Sequence, residues 1–237
     1  MHILRIERNF GGNRLNPAVF CDFDDTTAVE NVANLILERF GGDNWRKIRE
    51  RHMDTGGSLR KYQEEAFFNL NVSKDKLESV VRENATLRPY FKDLVGLCKS
   101  NNIPLAIVTL GLDFYVSALL QREGLDAVPC YAVSTRFLPR GIDFIYSQTR
   151  EKCDQWGNCK CAIIDRYRSE HDYIIYVGDG RSDFCPAENA DLVFARSYLA
   201  DHCIQNDINY KEFDDFKIVV DEMRRLLTLT GSDRKRR

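Results

Sequence analysis

Apolar residues along this chain gather in short, nearly unbroken runs at 18–23, 103–110, 128–133, 173–177 and 191–194. The second and fourth, Ile-Pro-Leu-Ala-Ile-Val and Tyr-Ile-Ile-Tyr-Val, carry almost no polar interruption. Runs of that length and continuity predict strands covered on both faces, as in a parallel sheet. Helix-like stretches at 113–122, 160–169 and 214–227 lie between or after them. Strand alternating with helix predicts a doubly wound α/β fold. From about 29 to 87 the pattern changes. Apolar spacing there is near 3.6, with turn signals at 41–42, 54–57 and 71–73 and no strand candidate. This predicts a helical subdomain over 29–87, inserted after the first strand of an α/β core made of 1–28 and 88–237.

Composition narrows the class. The chain has 237 residues, 43% hydrophobic and 30% charged, which suits a soluble globular protein with an ordinary core. The formal net charge of −2 gives no electrostatic case for nucleic acid or an anionic membrane as partner. No apolar run approaches the ~18 residues that span a bilayer, and the first 17 residues lack the apolar stretch of a signal peptide. The expected address is the cytosol. Of eight cysteines, Cys21, Cys98, Cys130 and Cys185 lie in or beside apolar segments and read as small buried thiols. Residues 231–237 form a basic, polar tail with no expected structure.

The chemistry concentrates where strands end. The run 18–21 leads straight into Asp22-Phe23-Asp24-Asp25-Thr26. Carboxylates two apart on extended backbone project to the same side, beyond the strand's C-terminal end. Open α/β sheets bind ligands there, and two acids at one spot require a cation or a proton between them. A second strand ends in Gly178-Asp179-Gly180-Arg181-Ser182-Asp183. If the two strands are neighbours, Asp22, Asp24, Asp179 and Asp183 converge into a hard-oxygen site suited to Mg²⁺ and a substrate phosphate. Thr109, at a strand end, precedes Leu110 and Gly111, whose N–H groups are expected to open toward an anion at a helix start. Lys160 opens a helical segment and supplies a fixed positive charge.

This order of residues resembles the four motifs of the haloacid dehalogenase superfamily, over about residues 18–216. The helical insertion is similar to the cap of the phosphoserine-phosphatase-like subclass. Two groups in that subclass are similar in detail. The 2-hydroxy-3-keto-5-methylthiopentenyl-1-phosphate phosphatases of methionine salvage resemble this chain in the Cys-rich stretch before Lys160, in the Leu-Asp-Phe-Tyr segment at 112–115 and in Phe-Ala-Arg-Ser-Tyr-Leu at 194–199. The phosphoethanolamine/phosphocholine phosphatases resemble it at 176–186 and at Glu30-Asn31.

The resemblance implies a Mg²⁺-dependent hydrolase of a small phosphorylated metabolite. Asp22 would be the nucleophile and Asp24 the acid/base. Asp22, the Asp24 backbone carbonyl and Asp179 would hold the metal, with Asp183 binding it or supporting it. Thr109 and Lys160, with Leu110 and Gly111, would clamp the phosphoryl oxygens. Glu30 and Asn31 would face the substrate from the insertion. Arg60, read from its place on the insertion alone, is expected either to face the substrate or to lie on a solvated helix face. Thr109-Leu110 stands where phosphoserine phosphatases have Ser-Gly, and Asn31 where they place an acid for the substrate amine. Both changes count against phosphoserine without excluding it, and phosphoserine, phosphoethanolamine and phosphocholine stay open as substrates.

Other readings fit less of the pattern. A calcium loop beginning at Asp22 needs glycine at its sixth position and an acid at its twelfth, where this chain has Thr27 and Ala33. Cys153, Cys159 and Cys161 lack the paired spacing of a zinc site. A phosphoacceptor signalling domain uses Asp, Thr, Lys and Mg²⁺ on a parallel sheet, but its acid pair sits on the first strand and its acceptor on a later one. Here Asp24 stands two residues beyond Asp22, and a helical insertion is placed to close over the site. A phosphotransferase on the same scaffold stays open.

Overall fold

A computed structural model describes residues 15–53, 57–68, 70–139 and 141–231. The apolar runs become β1 (Pro17–Cys21), β2 (Leu105–Leu112), β3 (Cys130–Leu138), β5 (Tyr173–Gly178) and β6 (Leu192–Ala195). Two further strands, β4 (Gly141–Ile145) and β7 (Tyr210–Glu212), complete one sheet in the order β4-β3-β2-β1-β5-β6-β7. Every neighbouring pair is parallel except β3 with β4. Every residue of β1, β2, β5 and β6 is buried, because helices cover both faces of a parallel sheet.

The topology decides where a ligand goes. From β1 the chain builds outward through β2 and β3, then returns to the other side of β1 as β5. Strand order reverses there, and the C-terminal ends of β1 and β5 open a crevice at the switch point. Cys21 pairs with Val177, so both strands deliver their acidic ends to the same edge.

Between β1 and β2 lie α1 (Val32–Phe40), α2 (Trp45–Met53), α3 (Leu59–Phe68), α4 (Lys74–Asn84) and α5 (Phe91–Ser100). The first four occupy the stretch where a helical pattern was expected. Their base is tied by an antiparallel bridge from Ala28 to Leu87 and by the Val29 N–H, which donates to the Thr86 carbonyl at 2.8 Å. Further helices are α6 (Asp113–Arg122), α7 (Lys160–Arg168), α8 (Phe184–Glu188), α9 (Ser197–Gln205) and α10 (Lys217–Gly231). The pattern-based starts at 113 and 160 hold, whereas α10 begins three residues after 214.

The insertion rests on the core through one continuous buried cluster, in which Ile36, Leu37 and Leu77 join Phe114, Val116 and Leu119. Each such side chain contributes about 1.5–3 kcal/mol by leaving water. Cys21 and Cys98 are buried as expected, but Cys130, the first residue of β3, is exposed. Residues 1–14, 54–56 and 232–237 lie outside the described residues, and with them most of the N-terminal stretch and basic tail considered above.

Candidate active site

Asp22 is the first residue beyond β1, and its N–H still donates to the Val177 carbonyl of β5 at 2.9 Å. Sheet pairing therefore fixes the backbone up to this residue. Oδ1 accepts from the Phe23 N–H at 2.7 Å and faces Lys160 Nζ at 2.9 Å. Oδ2 receives no hydrogen bond from the described residues. The chain then makes a tight turn over Phe23–Thr27, in which Asp25 takes a left-handed φ of 57°. The Thr27 hydroxyl closes the turn by donating to the Asp22 carbonyl at 2.6 Å.

Asp183 is the most thoroughly braced acid. Its Oδ1 accepts from Lys160 Nζ and Tyr176 Oη, both at 2.6 Å; its Oδ2 accepts from the Asp179 and Gly180 N–H groups at 3.0 and 2.9 Å. Four donors fill the lone-pair positions of one carboxylate. Gly178 makes room for it, since a Cβ there would stand 2.7 Å from the Asp183 carboxyl carbon. Asp179 accepts the Thr26 hydroxyl on Oδ1 at 2.9 Å, and its other oxygen has no donor among the described residues.

The electrostatics follow from one buried ammonium among three carboxylates. Burial works against the charge of Lys160, but Asp183 and Asp22 hold it above the usual lysine range. That one cation leaves the cluster net negative. Burial, then Asp183, pushes Asp22 up to about 7 in spite of Lys160. Burial, then Asp183 and Asp22, pushes Asp179 up to about 8. One oxygen from each of Asp22, Asp179 and Asp183 lies within 4.8 Å of the others. Octahedral Mg²⁺ sets opposite ligands ~4.2 Å apart, so the donor set fits a hard divalent cation after small side-chain adjustments. Asp22 and Asp179 offer free oxygens to it, while Asp183, already saturated, fits a brace better than a ligand.

Asp24 is separate from this group. Its Oδ1 accepts from the Val32 N–H at 2.7 Å and its Oδ2 from the Tyr115 hydroxyl at 2.8 Å. The carboxylate therefore faces the insertion and α6 and does not join the metal-type cluster expected from sequence. Burial pushes Asp24 up to about 6, against the hydrogen bonds from Tyr115 and Val32.

Thr109 lies inside β2, which continues to Leu112; it does not end the strand. Its Oγ1 accepts from the Gly111 N–H at 2.9 Å, so that N–H turns onto the threonine instead of opening outward as expected. The Thr109 hydroxyl proton is left for another acceptor. The Leu110 carbonyl accepts Gln63 Nε2 at 2.9 Å, which ties α3 to this loop. Leu110 and Lys160 border a common cavity of about 160 Å³.

The insertion residues are occupied otherwise than expected. Glu30 Oε2 accepts from the Thr86 N–H at 2.7 Å, across the base of the insertion. Asn31 caps α1 through the Asn34 N–H at 3.0 Å and donates to Asp25 at 2.9 Å. Arg60 pairs with Glu64 at 3.1 Å and Asp154 at 2.7 Å, stapling α3 to the turn at Glu151–Trp156. These polar groups hold backbone and helices in place. Cys153, Cys159 and Cys161 are buried thiols packed against Cys185, which is half-buried where a buried thiol was expected, and the metal-type cluster among the described residues is the acidic one.

Sequence reasoning missed Arg88. It is 6% exposed, and its guanidinium donates to the carbonyls of Thr26 and Asp25 at 2.6 Å, Asp214 at 3.0 Å and Ala28 at 3.4 Å. One side chain thus clamps the turn that carries Asp24. Arg88→Met leaves these carbonyls without the fork and is expected to cost about 3 kcal/mol. Arg88→Lys recovers only part of that, because an ammonium lacks the planar fork. Denaturant unfolding of the three proteins checks the order.

Residues 19–188 match the family of haloacid dehalogenase-like hydrolases. A 2-hydroxy-3-keto-5-methylthiopentenyl-1-phosphate phosphatase of Exiguobacterium sibiricum is 32% identical over 86% of this chain and 95% of its own. The enzyme of the same name from Lysinibacillus sphaericus is 31% identical over 85% and 91%. A solved phosphoserine phosphatase, an analogue of its phospho-aspartyl intermediate, superposes with a TM-score of 0.66 at 15% identity, over 89% of this chain and 99% of that one. The chain belongs to the haloacid dehalogenase-like hydrolase family.

Proposed function

We propose that this protein is a Mg²⁺-dependent phosphomonoesterase that works through a phosphoaspartate on Asp22. The observation that carries the reading is the state of the Asp22 carboxylate. One oxygen is fixed by a backbone N–H and Lys160, the other accepts no hydrogen bond among the described residues, and the carboxylate lies close to Asp179 at the switch point of the sheet. A bound Mg²⁺, held by Asp22 and Asp179, supplies neutralising charge for the phosphoryl oxygens.

The side chains then have defined tasks. Asp22 attacks phosphorus and the bond to the ester oxygen breaks. Asp24 gives its proton to that oxygen, then takes one from the water that attacks the phosphoaspartate. Breaking the phosphorus–Asp22 bond releases phosphate and restores the carboxylate. Thr109 and Lys160 donate to the phosphoryl oxygens throughout. The insertion, 29–87, acts as a cap that excludes bulk water and limits access to small substrates.

The substrate proposed is 2-hydroxy-3-keto-5-methylthiopentenyl-1-phosphate, in the cytosol. Relatives so named match most of the chain. Glu30 is engaged with the Thr86 N–H, and Asn31 is an amide that donates to Asp25, so neither supplies a dedicated carboxylate for a substrate ammonium. The test is phosphate release from a panel of phosphometabolites with Mg²⁺ present, including phosphoserine, phosphoethanolamine and phosphocholine. The keto phosphate is expected to give the highest kcat/KM. Release without any acceptor alcohol marks hydrolysis rather than transfer.

The acid cluster also predicts how stability depends on pH and metal. A carboxyl whose folded pKa is raised binds protons more tightly folded than unfolded. Its native state therefore loses stability as pH climbs from the unfolded value of 3.8 through about 6 for Asp24, 7 for Asp22 and 8 for Asp179. The metal-free protein is expected to melt progressively lower between pH 5 and pH 8. Mg²⁺ at 100 times its Kd adds about 2.7 kcal/mol, or roughly 5–10 °C in Tm at this size. The increment should be large at pH 8 and shrink toward pH 5, where protons compete. Thermal melts with Mg²⁺ and with chelator read it directly.

A further inference from the structure

Tyr115 takes no part in the chemistry described so far, yet its hydroxyl is the one side-chain donor on Asp24 among the described residues. It lies on the first turn of α6, fully buried, with Oη 2.8 Å from Asp24 Oδ2. Its ring packs against Phe114 at 5.4 Å edge-to-face and against Phe23 at 6.0 Å. The phenol is therefore held on both sides and cannot easily swing away. Gly111 completes the arrangement. A Cβ at that position would come 2.5 Å from Tyr115 Oη and 2.9 Å from Asp24 Oδ2. The backbone of β2 comes so close to this oxygen pair that only glycine leaves it intact.

We propose that Tyr115 is a positioning residue for Asp24. Its hydroxyl fixes the orientation of the carboxyl so that proton transfer to the leaving oxygen is aligned. The inference rests on the assignment of Asp24 as acid/base. A carboxyl held by one hydrogen bond can rotate about its Cβ–Cγ bond. Held by Val32 N–H on one oxygen and Tyr115 O–H on the other, it has one plane. General acid catalysis is worth about 10²–10⁴-fold and depends on geometry within hydrogen-bond reach, so losing one of the two supports should forfeit a share of it. Tyr115 itself neither gains nor loses a proton over the cycle. It keeps its own O–H bond while Asp24 hands its proton to the ester oxygen and recovers one from water.

The consequence is selective. A poor leaving group, such as an alkoxide, needs Asp24's proton as the phosphorus–oxygen bond breaks. p-Nitrophenolate leaves without one. The value of kcat/KM reports steps through formation of the phosphoaspartate and excludes its later hydrolysis. Tyr115→Phe keeps the ring and removes only the hydroxyl. With an alkyl phosphomonoester it is expected to lower kcat/KM about 10-fold. With p-nitrophenyl phosphate the drop in kcat/KM should be at most about 3-fold, while kcat falls further because water attack also uses Asp24.

Gly111→Ala forces the two oxygens apart from the other side and should show the same selectivity. Thermal melts establish that both variants are folded. Equal losses of kcat/KM on both substrates in folded Tyr115→Phe would falsify the positioning role, since general disorder of the site does not distinguish leaving groups. Failure of the underlying assignment looks different: Asp24→Asn itself would then lose no more on the alkyl ester than on the aryl ester.

Discussion

Asp22→Asn is expected to lose phosphatase turnover by on the order of 10³-fold or more, while the protein stays folded and, without metal, gains stability. The loss follows because an amide oxygen is too weak a nucleophile to form the phosphoenzyme. The gain follows from the electrostatics. Asparagine still accepts from the Phe23 N–H and faces Lys160, as Asp22 Oδ1 does at 2.7 and 2.9 Å. It removes one charge from a cluster in which burial and Asp183 already push Asp22 up to about 7. At pH 8, with chelator, the variant should melt above the wild type. Near pH 5 the difference should close, because Asp22 is then protonated in the folded wild type and costs little. Asp183→Asn is expected to do the opposite. Its carboxylate accepts four donors, and an asparagine leaves two of them facing an NH₂ group. Parallel melts of the two variants separate a strained acid from a supporting one.

The contrast between these acids shows which parts of the site were legible in the amino-acid pattern. Asp22 and Asp179 stand at the ends of runs apolar enough to read as buried strands, and buried strands end at the ligand-binding edge of a parallel sheet. Their convergence needed only β1 and β5 to be neighbours, which the register of Cys21 with Val177 provides. Lys160 was visible as the first residue of a helix. The strands that escaped notice are the amphipathic and short ones. β4 is only part-buried and pairs antiparallel with β3 at the sheet's margin. β7 is Tyr-Lys-Glu, three polar-leaning residues with no apolar run to mark them.

Long-range polar bonds were the other blind spot. Arg88 reaches Asp214, 126 residues away, and Tyr115 reaches Asp24, 91 residues away. Nothing within a helical or strand period announces such pairs. Glu30 and Asn31 carry structural bonds that went unread for the converse reason. Their nearness in sequence to Asp24 suggested the substrate, but the tight base of an insertion has backbone N–H groups to satisfy, and these two side chains satisfy them or cap the helix beside them. Around Thr109 it is the immediate surroundings that depart from expectation. The strand runs on past it, and its hydroxyl has drawn in the Gly111 N–H expected for a phosphate.

Asp24→Asn is expected to divide the reaction in time. In the first half, an aryl phosphate transfers its phosphoryl group to Asp22 without help from an acid, because the phenolate leaves unprotonated. In the second half, water must lose a proton as it attacks the phosphoaspartate, and asparagine cannot take it. Removal of a general base slows such a step by about 10²–10⁴-fold. Rapid mixing with p-nitrophenyl phosphate and Mg²⁺ should therefore give a burst of p-nitrophenol of one equivalent per chain, followed by a slow steady rate. Intact mass measured during the slow phase should show one added phosphoryl group, and peptide mapping should place it on Asp22. With an alkyl phosphate the same variant should show no burst, since the first half then also lacks its acid. The side-chain network favours a folded variant. The substituted amide can still accept from the Val32 N–H, and the Tyr115 hydroxyl can turn to accept from the new NH₂ group. A steady rate equal to wild type, with no burst and no phosphoprotein, would remove Asp24 from the chemistry and leave its two hydrogen bonds as ordinary structural ties.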